Sequence, residues 1–215
     1  MKKVAVIGSG SWGTALSTLL ASTSDEVIIW SREADVAESI NKEHVNCRHL
    51  SDSELPHNIV STTSEAEALT GVDAVVMAAP SAFLRSVCAA CAPYLDPEVD
   101  VLILSKGMEA GSHKLMHEVA ADELGNPARI AVLSGPNHAE EVIKQGISAA
   151  VVASEDAEVA KRFQTLLSRQ YFRTYVSSDV RGVEACAAAK NVVAIACGIA
   201  VGLGNGDNRS EERRV

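Results

Sequence analysis

The chain of 215 residues has little charge and no run of basic residues. Charged side chains make up 22% of it, and the formal net charge at pH 7 is −9. A surface that binds nucleic acid needs clustered lysine and arginine, so the scattered basic residues argue against a nucleic-acid partner. The composition also argues against disorder, because 47% of the residues are hydrophobic, which is enough for a folded core. We expect a globular protein with one large domain and room for the start of a second.

We also expect no segment that would direct the chain into or across a membrane. The N-terminal Met-Lys-Lys has the charge of a signal peptide, but the apolar run that follows, Val4 to Ile7, is far too short and ends at a glycine. We expect a cytoplasmic protein with no membrane span.

The cysteines and histidines lack the pattern of a disulfide framework or a metal site. Five cysteines, an odd number, in a chain without an export signal predict free thiols. Cys88 and Cys91 form a CxxC, but it lies in an alanine-rich helical stretch with no second CxxC or CxH, so we interpret both as buried apolar residues. His113 and His117 would share one helix face, yet no third ligand accompanies them. No metal is expected.

What the sequence does contain is a series of apolar, β-branched runs that alternate with helical segments. Such runs are typical of strands buried on both faces of a parallel sheet. The predicted strands are Val4–Ile7, Val27–Trp30, Ala74–Ala79, Val101–Leu104, Ile130–Leu133, Ala149–Ala153 and Phe172–Val176. The predicted helices span 12–21, 33–43, 81–92, 112–123, 137–145 and 156–168. The alternation predicts an α/β fold with a doubly wound, mostly parallel sheet.

The pattern changes at Arg181. Residues 182–203 form a long run of small and β-branched residues, which predicts one buried helix that other elements must cover. We therefore divide the chain into an α/β domain at 1–180, the first helix of an incomplete all-α domain at 181–208, and a tail at 209–215.

A glycine-rich turn follows the first predicted strand and leads into a helix. In the pattern Gly8-x-Gly10-x-x-Gly13, the first glycine makes a tight turn, the second lets the backbone approach a pyrophosphate, and the third lets helix and strand pack closely. Ser11 and Trp12 complete the turn, and the free N–H groups of the helix start would hold the pyrophosphate. The turn predicts a Rossmann-type domain that binds NAD or NADP.

The residues after the second predicted strand bear on the choice of cofactor. An acidic side chain there binds the ribose 2′-hydroxyl of NAD, whereas an arginine accommodates the 2′-phosphate of NADP. This chain has Arg32 followed by Glu33, so NADP should be accepted and NAD tolerated. An ordinary surface role for Arg32 stays open.

Four longer segments carry a resemblance to a known family. They are GSGSWGTAL at 8–16, LSKGME at 104–109, VLSGPNHAEEV at 132–142 and AAAKNVVAIACGIAVGLGNGDN at 187–208. In this order and spacing they resemble the bacterial-type NAD(P)-dependent glycerol-3-phosphate dehydrogenases. The resemblance implies reversible reduction of dihydroxyacetone phosphate to sn-glycerol 3-phosphate, an oxidoreductase step that serves phospholipid synthesis.

Lys190 is the candidate catalytic residue. It is the only charged residue between Glu184 and Asp207 on an otherwise apolar helix, where burial would lower its pKa. A lysine of that kind suits protonation of the alkoxide that forms when a ketone is reduced. The resemblance implies that Lys190 is the acid/base of the family and also contacts the substrate. The alternative is a lysine that extends from a buried helix to solvent.

The resemblance implies further site residues around two loops. Lys106 follows the fourth predicted strand and matches a lysine that contacts both substrate and cofactor, where a cation would stabilise a phosphate or a polarised carbonyl oxygen. Gly135 and Asn137 match substrate-site positions, although Asn137 replaces the usual Ser or Thr. Ala139 matches a cofactor contact, and Asn191 would help orient the substrate.

The family pattern ends after Asn208, and the chain continues as RSEERRV. The resemblance implies further substrate contacts from the family's C-terminal helical domain, and we expect these contacts to be missing. Two other functions therefore stay open: a non-catalytic NAD(P)-binding module, and a 3-hydroxyacid or 6-phosphogluconate type dehydrogenase. The latter enzymes favour Lys-x-x-Asn, whereas Lys190 and Asn191 are adjacent. An exposed apolar helix would also predict self-association, with a homodimer as its simplest form.

Overall fold

A computed structural model of the chain describes residues 1–204, which form eight strands and eight α-helices. The strands are β1 (Lys3–Ile7), β2 (Glu26–Trp30), β3 (Ile59–Thr62), β4 (Ala74–Met77), β5 (Asp100–Ile103), β6 (Ile130–Ser134), β7 (Ser148–Ser154) and β8 (Phe172–Ser177). The helices are α1 (Ser11–Ala21), α2 (Ala34–Glu43), α3 (Glu65–Leu69), α4 (Leu84–Cys91), α5 (Met116–Leu124), α6 (Ala139–Ile143), α7 (Ala157–Leu167) and α8 (Val180–Gly202).

The eight strands form one sheet in the order β3-β2-β1-β4-β5-β6-β7-β8. Every neighbouring pair is parallel except β6 and β7, which run antiparallel. The strand order reverses direction at β1, where β2 lies on one side and β4 on the other. This arrangement confirms the predicted Rossmann-type, doubly wound, mostly parallel sheet, and its carboxyl edge at β1 and β4 is where such sheets bind ligands.

The core consists of two apolar layers, one on each face of the sheet. Alternate residues of β1 point to opposite layers: Val4 and Val6 pack with α1 and α7, whereas Ala5 and Ile7 pack with α3, α4 and α5. Burial on both faces explains why the strands read as continuous apolar runs. Cys88 and Cys91 lie fully buried in the second layer, and burial raises the pKa of each thiol to about 12. Their interpretation as apolar core residues is confirmed.

Two features of the fold differ from the sequence-based prediction. Strand β3 and helix α3 were not predicted, because each has only four or five residues and shows no continuous apolar run. The predicted helix at 112–123 begins instead at Met116, since Gly111 and His113 have φ values of +91° and +58°, which no α-helix accommodates. His113 therefore lies in a loop before α5 and does not share a helix face with His117.

The long helix α8 is largely exposed, so the prediction of a buried helix is wrong for the described part of the chain. Only Val180, Glu184 and Ala200 are buried, because within residues 1–204 the helix packs mainly against β6 and β7. Large apolar side chains further along it are exposed, among them Val192 and Ile195. By length and apolar composition alone α8 would also be able to cross a membrane, a criterion that core helices of soluble proteins meet as well.

Candidate functional site

The glycine turn between β1 and α1 has the backbone geometry that its sequence predicts. Gly8 has a φ of +122°, a region that residues with a side chain avoid. A Cβ on Gly13 would lie 2.2 Å from the carbonyl oxygen of Gly8 and 3.0 Å from the Cβ of Ala78, so helix and strand touch there. At Gly10 a Cβ would meet no atom within 4 Å. The turn is therefore closed on its protein side and open on the side where a pyrophosphate would lie.

Asn46, which was not predicted from the sequence, stabilises this turn from the protein interior. The side chain of Asn46 is fully buried, and its Nδ2 donates hydrogen bonds to the carbonyl oxygen of Ser9 (2.7 Å) and to Oγ1 of Thr14 (2.9 Å). Its Oδ1 accepts hydrogen bonds from the backbone N–H groups of Arg48 and His49. No sequence signal marked Asn46, because it lies in an irregular loop between α2 and β3.

A cleft of about 440 Å³ opens at the carboxyl ends of the central strands. It brings together three predicted site residues from separate segments: Trp12, Lys106 and Asn137. The segment after β4 supplies further lining residues that were not predicted from the sequence, namely Ala78, Ala79, Pro80 and Ser81. Their position directly after a central parallel strand is the signal that would have identified them.

Lys106 is the charged residue among those that line the cleft. Its Nζ donates a hydrogen bond to the carbonyl oxygen of Gly135 at 2.8 Å, which joins two of the predicted loops. Partial burial lowers the pKa of Lys106, and the nearby positive charge of Lys190 lowers it further. A half-buried cation in a cleft of this kind is able to stabilise a phosphate or a developing oxyanion.

The loop that carries Lys106 is fixed to the body of the domain by an ion-pair network. Arg85 on α4 binds both carboxylate oxygens of Glu109 at 2.7 and 2.8 Å, and it also pairs with Asp122 and Glu123 on α5. The hydrogen bonds from Arg85 lower the pKa of Glu109 to about 2, so this carboxylate is ionised at neutral pH. Glu109, three residues after Lys106, anchors the end of the motif LSKGME.

The Ser-Gly-Pro loop after β6 is packed too tightly to accept a side chain at its glycine. A Cβ on Gly135 would lie 2.3 Å from Oδ1 of Asn137 and 2.6 Å from the carbonyl oxygen of Ala149. Asn137 donates a hydrogen bond from Nδ2 to that same carbonyl oxygen and faces the cleft. Ala139 is the first residue of α6 and is buried, whereas His138 before it is exposed.

Lys190 and Asn191 lie on α8, and both are exposed. The expected burial of Lys190 is therefore not found in the described residues, because nothing within 1–204 covers that turn of the helix. Lys190 is nevertheless close enough to Lys106 for its charge to act on that amine. Asn191 is not among the residues that line the cleft.

The first turns of α8 are fastened to the α/β domain by a buried pair. Glu184 accepts a hydrogen bond from the backbone N–H of His117 through Oε1 (3.1 Å), and its Oε2 contacts the ring Nδ1 of His117. Asp179 caps the helix by accepting a hydrogen bond from the N–H of Gly182. The direction of α8, and with it the position of Lys190, is set by these contacts.

We expect Glu184→Ala to release α8 from the domain. In the variant the partly buried backbone N–H of His117 loses its acceptor. This loss should lower the free energy of unfolding by about 2–3 kcal/mol. Urea unfolding gives the loss of stability, and hydrogen exchange shows whether amides of α8 lose protection. Glu184→Gln keeps an acceptor and serves as the matched control. Unchanged protection of α8 in the alanine variant would contradict the anchoring role.

Arg32 and Glu33 follow β2, as the sequence indicates, and bind each other. The guanidinium of Arg32 donates from Nε and Nη2 to Oε1 of Glu33 at 2.9 and 2.7 Å. The hydrogen bond from Arg32 lowers the pKa of Glu33. Burial opposes this effect, and the charges of Arg32 and Arg48 lower the pKa further. Arg32 remains 76% exposed in its side chain, so it is accessible to a ligand.

The residues present suit a dinucleotide. The open backbone at Gly10 and the free N–H groups at the start of α1 fit a pyrophosphate, and the cleft beside Trp12 has space for the second nucleotide half. No group of three potential metal ligands occurs in the described residues. The chemistry available at the cleft consists of one half-buried amine, one nearby exposed amine, and backbone and amide hydrogen-bonding groups.

Comparison with known proteins identifies the family pattern independently. The family model described as "NAD-dependent glycerol-3-phosphate dehydrogenase N-terminus" matches residues 3–160, and the corresponding C-terminus model matches residues 179–212. The glycerol-3-phosphate dehydrogenase [NAD(P)+] of Streptomyces griseus is 47% identical over 96% of this chain, and that of Thermobifida fusca is 46% identical over 97%. The chain spans 62% of the length of each of these two relatives.

Solved structures agree with the sequence comparisons. A crystal structure of glycerol-3-phosphate dehydrogenase from Coxiella burnetii superposes with a TM-score of 0.86 and 35% identity, covering 98% of this chain and 64% of that protein. The Plasmodium falciparum glycerol-3-phosphate dehydrogenase gives a TM-score of 0.91 at 28% identity, covering 98% of this chain and 62% of that one. The eight-stranded fold and the start of the helical segment are thus shared with these structures.

Proposed function

Since this chain belongs to the NAD-dependent glycerol-3-phosphate dehydrogenase family, we propose that it serves the reversible reduction of dihydroxyacetone phosphate to sn-glycerol 3-phosphate with NADPH or NADH. The observation that carries the proposal is the cleft, where the glycine turn and the half-buried Lys106 meet. The product is a precursor of glycerophospholipids, so the reaction serves lipid synthesis in the cytoplasm.

The residues of the site have distinct tasks in this proposal. Gly8, Gly10, Ser11 and Gly13 present backbone groups to the pyrophosphate, and Trp12 and Ala139 border the cofactor. When bound, the nicotinamide supplies or accepts the hydride. Residues on the other wall of the cleft bind the phosphorylated ketone and stabilise the charge that develops on its oxygen.

Those side chains are cationic or hydrogen-bonding. Lys106 stabilises negative charge on the substrate, either at the phosphate or at the carbonyl oxygen. Gly135 and Asn137 shape the pocket beside it. Lys190 donates the proton that the oxygen requires when the hydride adds to the carbonyl carbon, and it takes the proton back in the reverse direction. Asn191 orients the substrate next to it.

The decisive experiment is a rate assay paired with a binding titration. Oxidation of NADPH and NADH is followed with dihydroxyacetone phosphate, while cofactor affinity is measured by fluorescence. Lys190→Ala should lower the rate by at least about 10²-fold, since general acid catalysis contributes that much, and should leave NADPH binding within twofold. Tight cofactor binding by the unmodified chain without turnover would contradict the catalytic proposal and favour a binding module.

We also propose a domain boundary near residue 180, between the α/β domain and the helical segment. The break between the two family matches supports it. The C-terminal match continues through residue 212, past the boundary at 208 that the sequence predicts, and residues 205–215 lie outside the described residues. The exposed apolar side chains of α8 support self-association as a homodimer, which light scattering tests directly.

A further inference from the structure

The carbonyl group of Ser9, inside the glycine turn, is bound by two fully buried side chains. Nδ2 of Asn46 donates a hydrogen bond to this oxygen at 2.7 Å, and Oγ1 of Thr14 donates a second one at 3.2 Å. Asn46 and Thr14 are both completely buried. Nδ2 of Asn46 also donates to Oγ1 of Thr14 at 2.9 Å, so the three groups are joined to one another on the protein side of the turn.

The orientation of this carbonyl group determines where the next backbone N–H points. A peptide unit is planar and trans, so the N–H of Gly10 points in the direction opposite to the C=O of Ser9. The C=O faces the protein interior, where Asn46 and Thr14 bind it, and the N–H therefore faces outward. A Cβ on Gly10 would meet no atom within 4 Å, so the turn is open to an anion at this residue.

The amide of Asn46 is itself fixed in one orientation. Its Oδ1 accepts hydrogen bonds from the backbone N–H groups of Arg48 and His49, at 3.2 and 3.0 Å. Its Nδ2 uses both hydrogens, one on Ser9 and one on Thr14. Exchanging the oxygen and the nitrogen would place an oxygen against the carbonyl oxygen of Ser9 and an N–H group against two others. The buried amide therefore holds the turn in a single arrangement.

We propose that Asn46, assisted by Thr14, is a positioning residue that directs the N–H of Gly10 toward the pyrophosphate of the cofactor. This inference rests on the proposed function, because it concerns the same dinucleotide. A hydrogen bond from an N–H to a charged oxygen is strong only when the two are aligned. Without its two partners the carbonyl group of Ser9 would no longer be held inward, and the peptide unit would rotate. Asn46 thus acts on the cofactor through the backbone of the turn.

The test measures the affinity of the full chain for NADH and for ADP-ribose by calorimetry. Both probes contain the pyrophosphate, and ADP-ribose lacks the nicotinamide. We expect Asn46→Ala to weaken binding of both probes about tenfold, the effect of one misdirected charge-assisted hydrogen bond. The amide resonance of Gly10 in a proton–nitrogen correlation spectrum is a second readout. Addition of ADP-ribose should shift it in the unmodified chain and shift it less in Asn46→Ala, because the N–H no longer faces the pyrophosphate.

A pair of Thr14 variants tests the same role with a smaller change. Thr14→Val removes one hydrogen bond to Ser9 with little change of shape, and it should weaken binding of both probes about threefold. Thr14→Ser keeps the hydroxyl group and should bind both probes more tightly than Thr14→Val. The Thr14 variants decide the question if Asn46→Ala does not fold.

Asn41→Ala is the matched control for a general loss of stability. The amide of Asn41 also makes two backbone hydrogen bonds, to the N–H (2.7 Å) and the carbonyl oxygen (2.8 Å) of Ser61, but it holds the edge strand β3 and not the turn. Both affinities should stay within twofold in this variant. If Asn46→Ala and Thr14→Val bound both probes as Asn41→Ala does, the positioning role would be overturned and the proposed function would stand. Failure of the unmodified chain to bind NADH or NADPH would overturn both proposals.

Discussion

Replacing Lys106 with methionine is expected to lower the rate of dihydroxyacetone phosphate reduction by about 10²–10³-fold, the cost of losing one electrostatic partner of a developing oxyanion. Methionine keeps the length and apolar stem of the side chain while removing the charge and the hydrogen bond to Gly135. NADPH affinity should fall in parallel, because the amine borders the cofactor side of the cleft. Steady-state kinetics together with a fluorescence titration measure both effects.

The pH dependence of the reduction rate is a second test of the role of Lys106. Burial and the charge of Lys190 lower the pKa of Lys106, so it loses its proton at a lower pH than an ordinary lysine. A rate that depends on the charged amine should therefore decline on the alkaline side earlier than lysine at its usual pKa would allow. Lys114→Met, on the same loop and paired with Asp122, is the control. If Lys106→Met reduced dihydroxyacetone phosphate at a rate within threefold of the unmodified chain, Lys106 would have no essential role in the reaction.

Gly13→Ala is expected to unfold or strongly destabilise the domain. Its new Cβ would lie 2.2 Å from the carbonyl oxygen of Gly8, a backbone atom that cannot rotate away. Separating α1 from β1 to relieve this clash costs about 3 kcal/mol or more, which corresponds to a fall in melting temperature of about 6–12 °C. Thermal unfolding followed by circular dichroism measures the effect.

Gly10→Ala is the matched control, and it should behave in the opposite way. A methyl group at Gly10 meets no protein atom within 4 Å, so the melting temperature should change little. The same methyl projects where the pyrophosphate approaches, and NADPH affinity should fall at least about tenfold. If Gly10→Ala bound NADPH normally, the pyrophosphate would not lie on this turn.

The sequence predicted the structure best at positions where only one kind of residue fits the local geometry. The apolar runs of the sheet and the three glycines predicted both the fold and the cofactor turn, because burial on both faces and close backbone packing leave few alternatives. Lys106 was found through the family resemblance, and its place shortly after a central parallel strand supported it. For the loops at Gly135 and Asn137 the signal was the family resemblance alone.

Features that depend on contacts between distant segments were not predictable. Asn46 is one of several asparagines, and only the folded chain shows that its amide reaches Ser9, 37 residues away. The Glu184–His117 pair joins positions 67 residues apart. The expected burial of Lys190 is not found for a related reason. An apolar pattern predicts that a helix packs against other elements, but it does not identify the residues that cover it.

The hydrogen bonds of Asn46 have a consequence for altering the cofactor preference of this chain. One buried amide connects the loop that carries Arg48 with the turn that all dinucleotides use, so the two are not independent modules. Exchanging the whole loop for that of an NAD-specific relative would disturb binding of either cofactor unless the asparagine were kept at its position. Substitution of the exposed Arg32 or the partly exposed Glu33 avoids this coupling. The cofactor preference is open to change there without loss of the common site.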